Sequence, residues 1–195
     1  MDTATYNRMV LERIQTDSPE IFGNLTPENA RFIVPEFIKS AKESIVIFSG
    51  SMPPWFYMEE DATAGKPILD VIREAANNLH ELFADNAAGA IRILTANGKF
   101  DPTLDEFEEA VAQQNNGVRV VRIVQAAYAG NASELQHFIV IDHKRYRLET
   151  PHIVCRNEKL KVVMAEVCCN GPAKARRLES MFNAIWTRLT AKRSA

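Results

Sequence analysis

Two apolar rhythms alternate along the chain. Ser44-Ile-Val-Ile-Phe48, Ala90-Ile-Arg-Ile-Leu-Thr95 and Val118 to Val124 are compact runs of the strand type. Between the first two, residues 67–84 place Ile68, Val71, Ile72, Ala75, Leu79 and Leu82 three and four apart, which predicts a helix with one buried face. Residues 101–114 repeat that spacing with Leu104, Phe107, Ala110 and Val111. Asp101-Pro102 supplies an N-cap followed by proline, and Gly117 suits a left-handed helix end. The segment from Glu134 to Glu149 reads as two strands joined by a tight turn, and Lys159 to Cys169 as one more strand. Asn170-Gly171-Pro172 opens a last helix with Leu178, Met181, Phe182, Ile185, Trp186 and Leu189 on its apolar face.

The first 43 residues read differently. A short helix is expected over 4–16, with Tyr6, Met9, Val10 and Ile14 at helical spacing, and Pro19 and Gly23 break the pattern beyond it. Thr26 is an N-cap with Pro27 at the first helical position, and the helix continues to Lys42. Pro35 inside it is expected to kink or split it. The order of elements predicts an α/β protein of one structural domain. A helical segment over 1–43 packs on a core formed by 44–195, and the sheet is covered on both faces.

Composition narrows the function classes more than the fold. The chain has 195 residues, 46% apolar and 25% charged, with a net charge of −2 and a pI near 6.1. That excludes a surface coated in basic charge, though not a local basic patch. Cys155, Cys168 and Cys169 are odd in number, two of them adjacent, and match neither a disulfide framework nor a metal-ligand spacing. They are expected to be reduced thiols of a cytoplasmic protein. No secretory or membrane-spanning run is expected, and no cofactor or metal.

The chemistry concentrates in 134–149. His137 flanks the apolar run Phe138 to Ile141, and Arg147 and Glu149 lie two apart on one face of the return strand. Turn register decides their relation. A two-residue turn at His143-Lys144 pairs Asp142 with Arg145 and puts Arg147 and Glu149 on the face opposite His137. A three-residue turn through Arg145 pairs Asp142 with Tyr146 and joins all three on one face. The residue types favour the shared face. His143-Lys144-Arg145 reads as a solvated basic tip. A second basic group, Lys174, Arg176, Arg177, Arg188, Lys192 and Arg193, lies near the end of the chain. Pro53-Pro54-Trp55-Phe56-Tyr57 follows the first core strand, where aromatic rings such as Trp55 and Tyr57 could stack on a base or cover the core.

The order of elements resembles one unit of the phospholipase D superfamily, whose signature His-x-Lys-x(4)-Asp lies on a strand after the third β element. With Asp142 aligned to the signature Asp, Leu135 stands at the His position and His137 at the Lys position. Glu149-Thr150-Pro151-His152 replaces the Gly-Ser-x-Asn that comes after it. The resemblance implies a phospholipase D-like mixed sheet flanked by helices, with a degenerate active site, and a homodimer that pairs the site faces. The leading expectation is a non-enzymatic module that binds nucleic acid or another phosphate-bearing ligand through His137, Lys144, Arg145 and Arg147. Its rivals are a phosphodiesterase or nuclease remodelled around His137, Asp142, Arg147 and Glu149, and a structural assembly subunit.

Overall fold

A computed structural model describes residues 2–24, 26–49, 67–96, 100–126, 137–149 and 165–191. Within them the order is α1 (Thr3–Gln15), β1 (Ile21–Asn24), α2 (Pro27–Lys39), β2 (Ile45–Ser49), α3 (Ile68–Phe83), β3 (Ile91–Thr95), α4 (Pro102–Gln114), β4 (Val121–Gln125), β5 (Phe138–Ile141), β6 (Arg145–Glu149), β7 (Ala165–Cys168) and α5 (Pro172–Ala191). The caps agree with the residue types. Asp2, Thr26 and Asp101 accept backbone N–H bonds at the starts of α1, α2 and α4. Gly117 adopts φ +83° just after α4.

The described strands form one mixed sheet of seven, in the order β1-β7-β6-β5-β2-β3-β4. β2, β3 and β4 are parallel neighbours, and the remaining pairs are antiparallel. Alternation along each strand divides the core between the two faces. Ile45, Ile47, Ile91, Ile93, Val121, Ile123, Ile139, Ile141 and Val167 pack against α1 to α4. Val46, Phe48, Leu94, Val124, Phe138, Val140, Tyr146, Leu148 and Cys168 pack against α5 through Ala175, Leu178 and Phe182. Among the described residues, one face is thus covered by four helices and the other by one.

Two expectations for the N-terminal segment change. Residues 21–24, expected only as an interruption between helices, form an edge strand paired antiparallel with β7, so the segment also supplies part of the sheet. Helix α2 continues through Pro35 without splitting. The carbonyl that loses its partner there belongs to Arg31, which is exposed and can turn to water. Ile33, Val34, Phe37 and Ile38 are all buried and hold the helix down on both sides of the proline.

The open edge of β4 carries its own protection. Among the described residues the Ile123 N–H faces no further strand, and it donates instead to Glu108 Oε2 at 2.7 Å. Glu108 is held in turn by Arg119 at 3.1 Å and Arg122 at 3.6 Å. A carboxylate from α4 therefore occupies a donor that would otherwise invite another strand.

Candidate functional site

The β5–β6 turn fixes where each candidate side chain goes. Ile141 pairs with Arg145, Ile139 with Arg147 and Phe138 with Leu148, so the loop is the three residues Asp142, His143 and Lys144. This is one residue earlier than the three-residue turn expected from sequence, with the same effect on facing. Asp142 and His143 both take positive φ, 51° and 58°, and the Lys144 N–H donates to the Ile141 carbonyl at 3.1 Å. Residues opposite one another project to the same face. His137, whose carbonyl accepts the Glu149 N–H at 2.8 Å, therefore shares a face with Arg147 and Glu149.

These three lie at the rim formed by the carboxyl ends of β2, β3 and β4, because β5 runs antiparallel to β2 and begins there. Arg147, 3% exposed, donates from Nε and Nη2 to Asn24 Oδ1 at 3.1 and 2.9 Å, and from Nη1 to Glu149 Oε1 at 2.5 Å. Asn24 is fully buried and donates from Nδ2 to the Tyr6 hydroxyl at 3.4 Å. Burial pushes the Tyr6 phenol up from its ordinary value, with the Asn24 bond and the Arg147 charge opposing. The second carboxylate oxygen of Glu149 lies 3.5 Å from His137 Nδ1, and these two side chains keep 16% and 19% exposure. The result is a continuous polar chain, Tyr6–Asn24–Arg147–Glu149–His137. It is closed at the buried end and opens at the histidine.

The remaining candidates belong to the other end of the hairpin. His137 and Asp142 are five residues apart on an extended strand, about 17 Å at 3.4 Å per residue. Asp142 Oδ1 accepts the successive backbone N–H groups of Lys42, Glu43 and Ser44 at 3.1, 2.8 and 3.0 Å, and Oδ2 accepts Lys42 again at 3.0 Å. Its carboxylate therefore fastens the α2–β2 connection and does not reach His137. Arg145, expected at a solvated tip, is 5% exposed. It donates to Asp17 Oδ1 at 2.5 Å and to the Ser40 carbonyl at 3.1 Å. Lys144 Nζ meets the other Asp17 oxygen at 2.7 Å. Burial works against the Asp17 carboxylate, yet the bonds and charges of Lys144 and Arg145 hold it below its ordinary range. The structure does not bring Asp142, Lys144 and Arg145 together with His137. They are neutralised among themselves at the far end of the strand. Leu135, Trp55 and Tyr57 lie outside the described residues.

The second basic group is partly free. Lys174 is taken by Glu166 at 2.7 Å, while Arg176, Arg177 and Arg188 are exposed on the outer side of α5. The hairpin tip abuts this helix, with His143 Nδ1 2.8 Å from Glu179 Oε2 and the Gly171 N–H donating to the Lys144 carbonyl. Its two cations nevertheless turn to Asp17. Among the described residues no group of three or more His, Cys, Asp or Glu is placed to hold a metal. No described helix is long and apolar enough to cross a membrane.

The polar roles of Asn24 and Tyr6 went unread in the sequence because Asn24 meets Arg147 from 123 residues away and Tyr6 joins through Asn24. A usable signal did exist at the rim, where the apolar runs of β2 and β3 end in a hydroxyl, Ser49 and Thr95, and that of β5 begins after an imidazole.

No protein-family model matches the chain, and no curated protein is similar enough in sequence to count as a relative. Solved structures do resemble it. Nuc from Salmonella typhimurium, a phospholipase D family member, aligns over 86% of this chain and 94% of its own, with a TM-score of 0.54 at 16% identity. NucT from Helicobacter pylori aligns over 86% and 96%, with a TM-score of 0.52 at 13% identity. TrmBL2, an archaeal chromatin protein whose structure shows a novel mode of DNA binding, aligns over 95% of this chain with a TM-score of 0.55 at 9% identity. This chain spans 60% of the TrmBL2 chain. The fold is therefore phospholipase D-like, a mixed α/β sheet between helices.

Proposed function

We propose that the domain binds a phosphate-bearing ligand, nucleic acid foremost, at the carboxyl rim of its sheet, and acts as an interaction or regulatory module without the family's phosphohistidine chemistry. The observation that carries this reading is the polar chain ending at His137. Open α/β sheets bind ligands beyond the carboxyl ends of their strands, and His137 and Glu149 are the members of the chain that keep exposure there. Leu135, at the position of the family nucleophile, has no group that could attack phosphorus. Arg147 supports the site indirectly, since its donors are held by Asn24 and Glu149. The exposed Arg176, Arg177 and Arg188 add a cationic face in a chain of net charge −2. The likeness in fold to a DNA-binding chromatin protein and to a phospholipase D family member is consistent with such a ligand. Two copies pairing their rims would double the site, which sedimentation would register as a homodimer.

The test is affinity for single- and double-stranded oligonucleotides over a salt series. Binding should weaken steadily with salt, as phosphate contacts require. His137→Ala should weaken it about tenfold, the worth of a charge-assisted hydrogen bond. A protonated imidazole is the stronger anion contact, so affinity should rise as pH falls. Absence of binding at low salt would sink the reading.

One observation favours a second reading. The His137–Glu149 contact has the arrangement of a base with its orienting carboxylate. Hydrolysis of a generic phosphodiester that disappears in His137→Ala, with folding intact, would make the domain a remodelled phosphodiesterase instead.

A further inference from the structure

The rim residues of the strands stand in one register. Gln125, Thr95 and Ser49 are Cα partners across β4, β3 and β2, His137 continues the row beside Ser49, and Glu149, Ala165 and Asn24 complete it. All project to the face of α1 to α4: Glu149 because it lies opposite His137, and each of the others because it lies two residues from an apolar residue packed on that side. The ends of the row have structural work. Gln125 joins the start of α4, accepting from the Asp101 N–H at 2.7 Å and donating to the Asp101 carbonyl at 2.8 Å. Asn24 holds Arg147. Thr95 differs from both. It is 1% exposed, yet its Oγ1 has no hydrogen-bond partner. A valine would fill the same volume without leaving a hydroxyl unpaired, so stability alone does not account for threonine here.

We propose that the ligand surface centred on His137 extends across β2 to β3, with the Thr95 hydroxyl as its far hydrogen-bond donor. The site then takes a chain of at least two phosphates, such as a dinucleotide or a stretch of single-stranded nucleic acid. Two strand spacings separate Thr95 from His137, about 10 Å, more than one phosphate group spans with hydrogen bonds of about 3 Å on each side. This rests on the reading of the His137 rim as a phosphate site and deepens it.

The test is calorimetric titration with thymidine monophosphate and with 5′-phosphorylated thymidine dinucleotide, which carries two phosphates. The unaltered protein should bind the dinucleotide about tenfold or more tightly. Thr95→Val should cut that preference to below about threefold while leaving the thermal midpoint unchanged or higher, and Thr95→Ser, which keeps the hydroxyl, should retain it. His137→Ala should weaken both nucleotides alike. If Thr95→Val keeps the full preference, or unfolds at a clearly lower temperature because the hydroxyl has a structural partner, this inference falls. The His137 site stands in that case, provided His137→Ala still weakens binding. If neither nucleotide binds, or His137→Ala changes nothing, the parent reading falls with it.

Discussion

The β5–β6 hairpin carries a cluster of charges at each end, and the two clusters have nearly the same ingredients. The turn end has Asp142, Arg145, Lys144 and Asp17. The rim end has Arg147, Glu149 and His137 with the amides and hydroxyls around them. At the turn, the carboxylate of Asp142 accepts three backbone N–H groups, and both hairpin cations meet Asp17 at 2.5–2.7 Å. At the rim, Arg147 uses Nε, Nη1 and Nη2 on Asn24 and Glu149, whereas the buried Nε of Arg145 at the turn has no hydrogen-bond partner among the described residues. The His137–Glu149 contact is 3.5 Å, and Thr95 in the same row has an unpaired hydroxyl. Charged residue types alone do not separate a fastening from a site. The difference lies in place: the turn cluster ties down the α2–β2 connection, whereas the rim cluster stands at the carboxyl ends of the parallel strands.

The sharpest way to break this comparison is Asp142→Ala. It strands three backbone N–H groups and removes a buried charge, so a loss of about 3–5 kcal/mol is expected in urea denaturation. A loss under about 1 kcal/mol would show that the turn cluster is not a fastening. Arg147→Met should cost less, about 2–3 kcal/mol, because Glu149 keeps some water and its contact to His137. It should also weaken nucleotide binding through the loosened Glu149, which Asp142→Ala at equal folded fraction should not. Reversal of those two binding results would exchange the roles of the two ends.

How much of this was legible in the sequence depends on the range of the forces involved. The helices and core strands were readable because their apolar spacing is local and repeated over many residues. Strand β1 was not. It has four residues, one of them glycine, its isoleucine is exposed and its asparagine buried, and its partner lies about 145 residues away. The shared face of His137, Arg147 and Glu149 was readable from residue type, but not the loop that sets it. Asp142 and His143 both adopt left-handed φ without being glycine, and Asp142 is kept there by bonds to residues 42–44. The alignment that singled out Asp142 was informative about fold. A strand's length separates Asp142 from His137, a distance that residue types do not reveal.

A smaller effect is expected at the sheet edge. Glu108→Ala should cost about 1 kcal/mol as one hydrogen bond is lost. Its clearer signature is concentration-dependent self-association by sedimentation, as the Ile123 N–H becomes available to another strand. An unchanged monomer–oligomer balance would remove Glu108 from that role. The smallest effect concerns Glu166. Lys174, and then the Tyr146 hydroxyl, hold its carboxyl below the ordinary 4.5. A lowered folded value means the contribution is present above the unfolded value and is lost as pH falls through the folded one. Lys174→Met should therefore flatten the acid limb of the stability profile below about pH 5. The change should be under about 1 kcal/mol, because the pair is substantially exposed. An identical acid limb in the variant would leave the pair without a stabilising role.

The Asp142 fastening also has a kinetic meaning. The β5–β6 hairpin closes a loop of three residues and can form early, from contacts within one short stretch of chain. Strand β2 lies about 95 residues upstream, and its pairing with β5 joins the parallel β2-β3-β4 block to the antiparallel half of the sheet. Closing so long a loop carries a large entropic cost. The hairpin arrives at that encounter with a carboxylate already displayed at its tip, and three N–H groups of the α2–β2 connection are waiting for an acceptor. One side chain thus rewards the docking of the two halves at a step that chain entropy opposes.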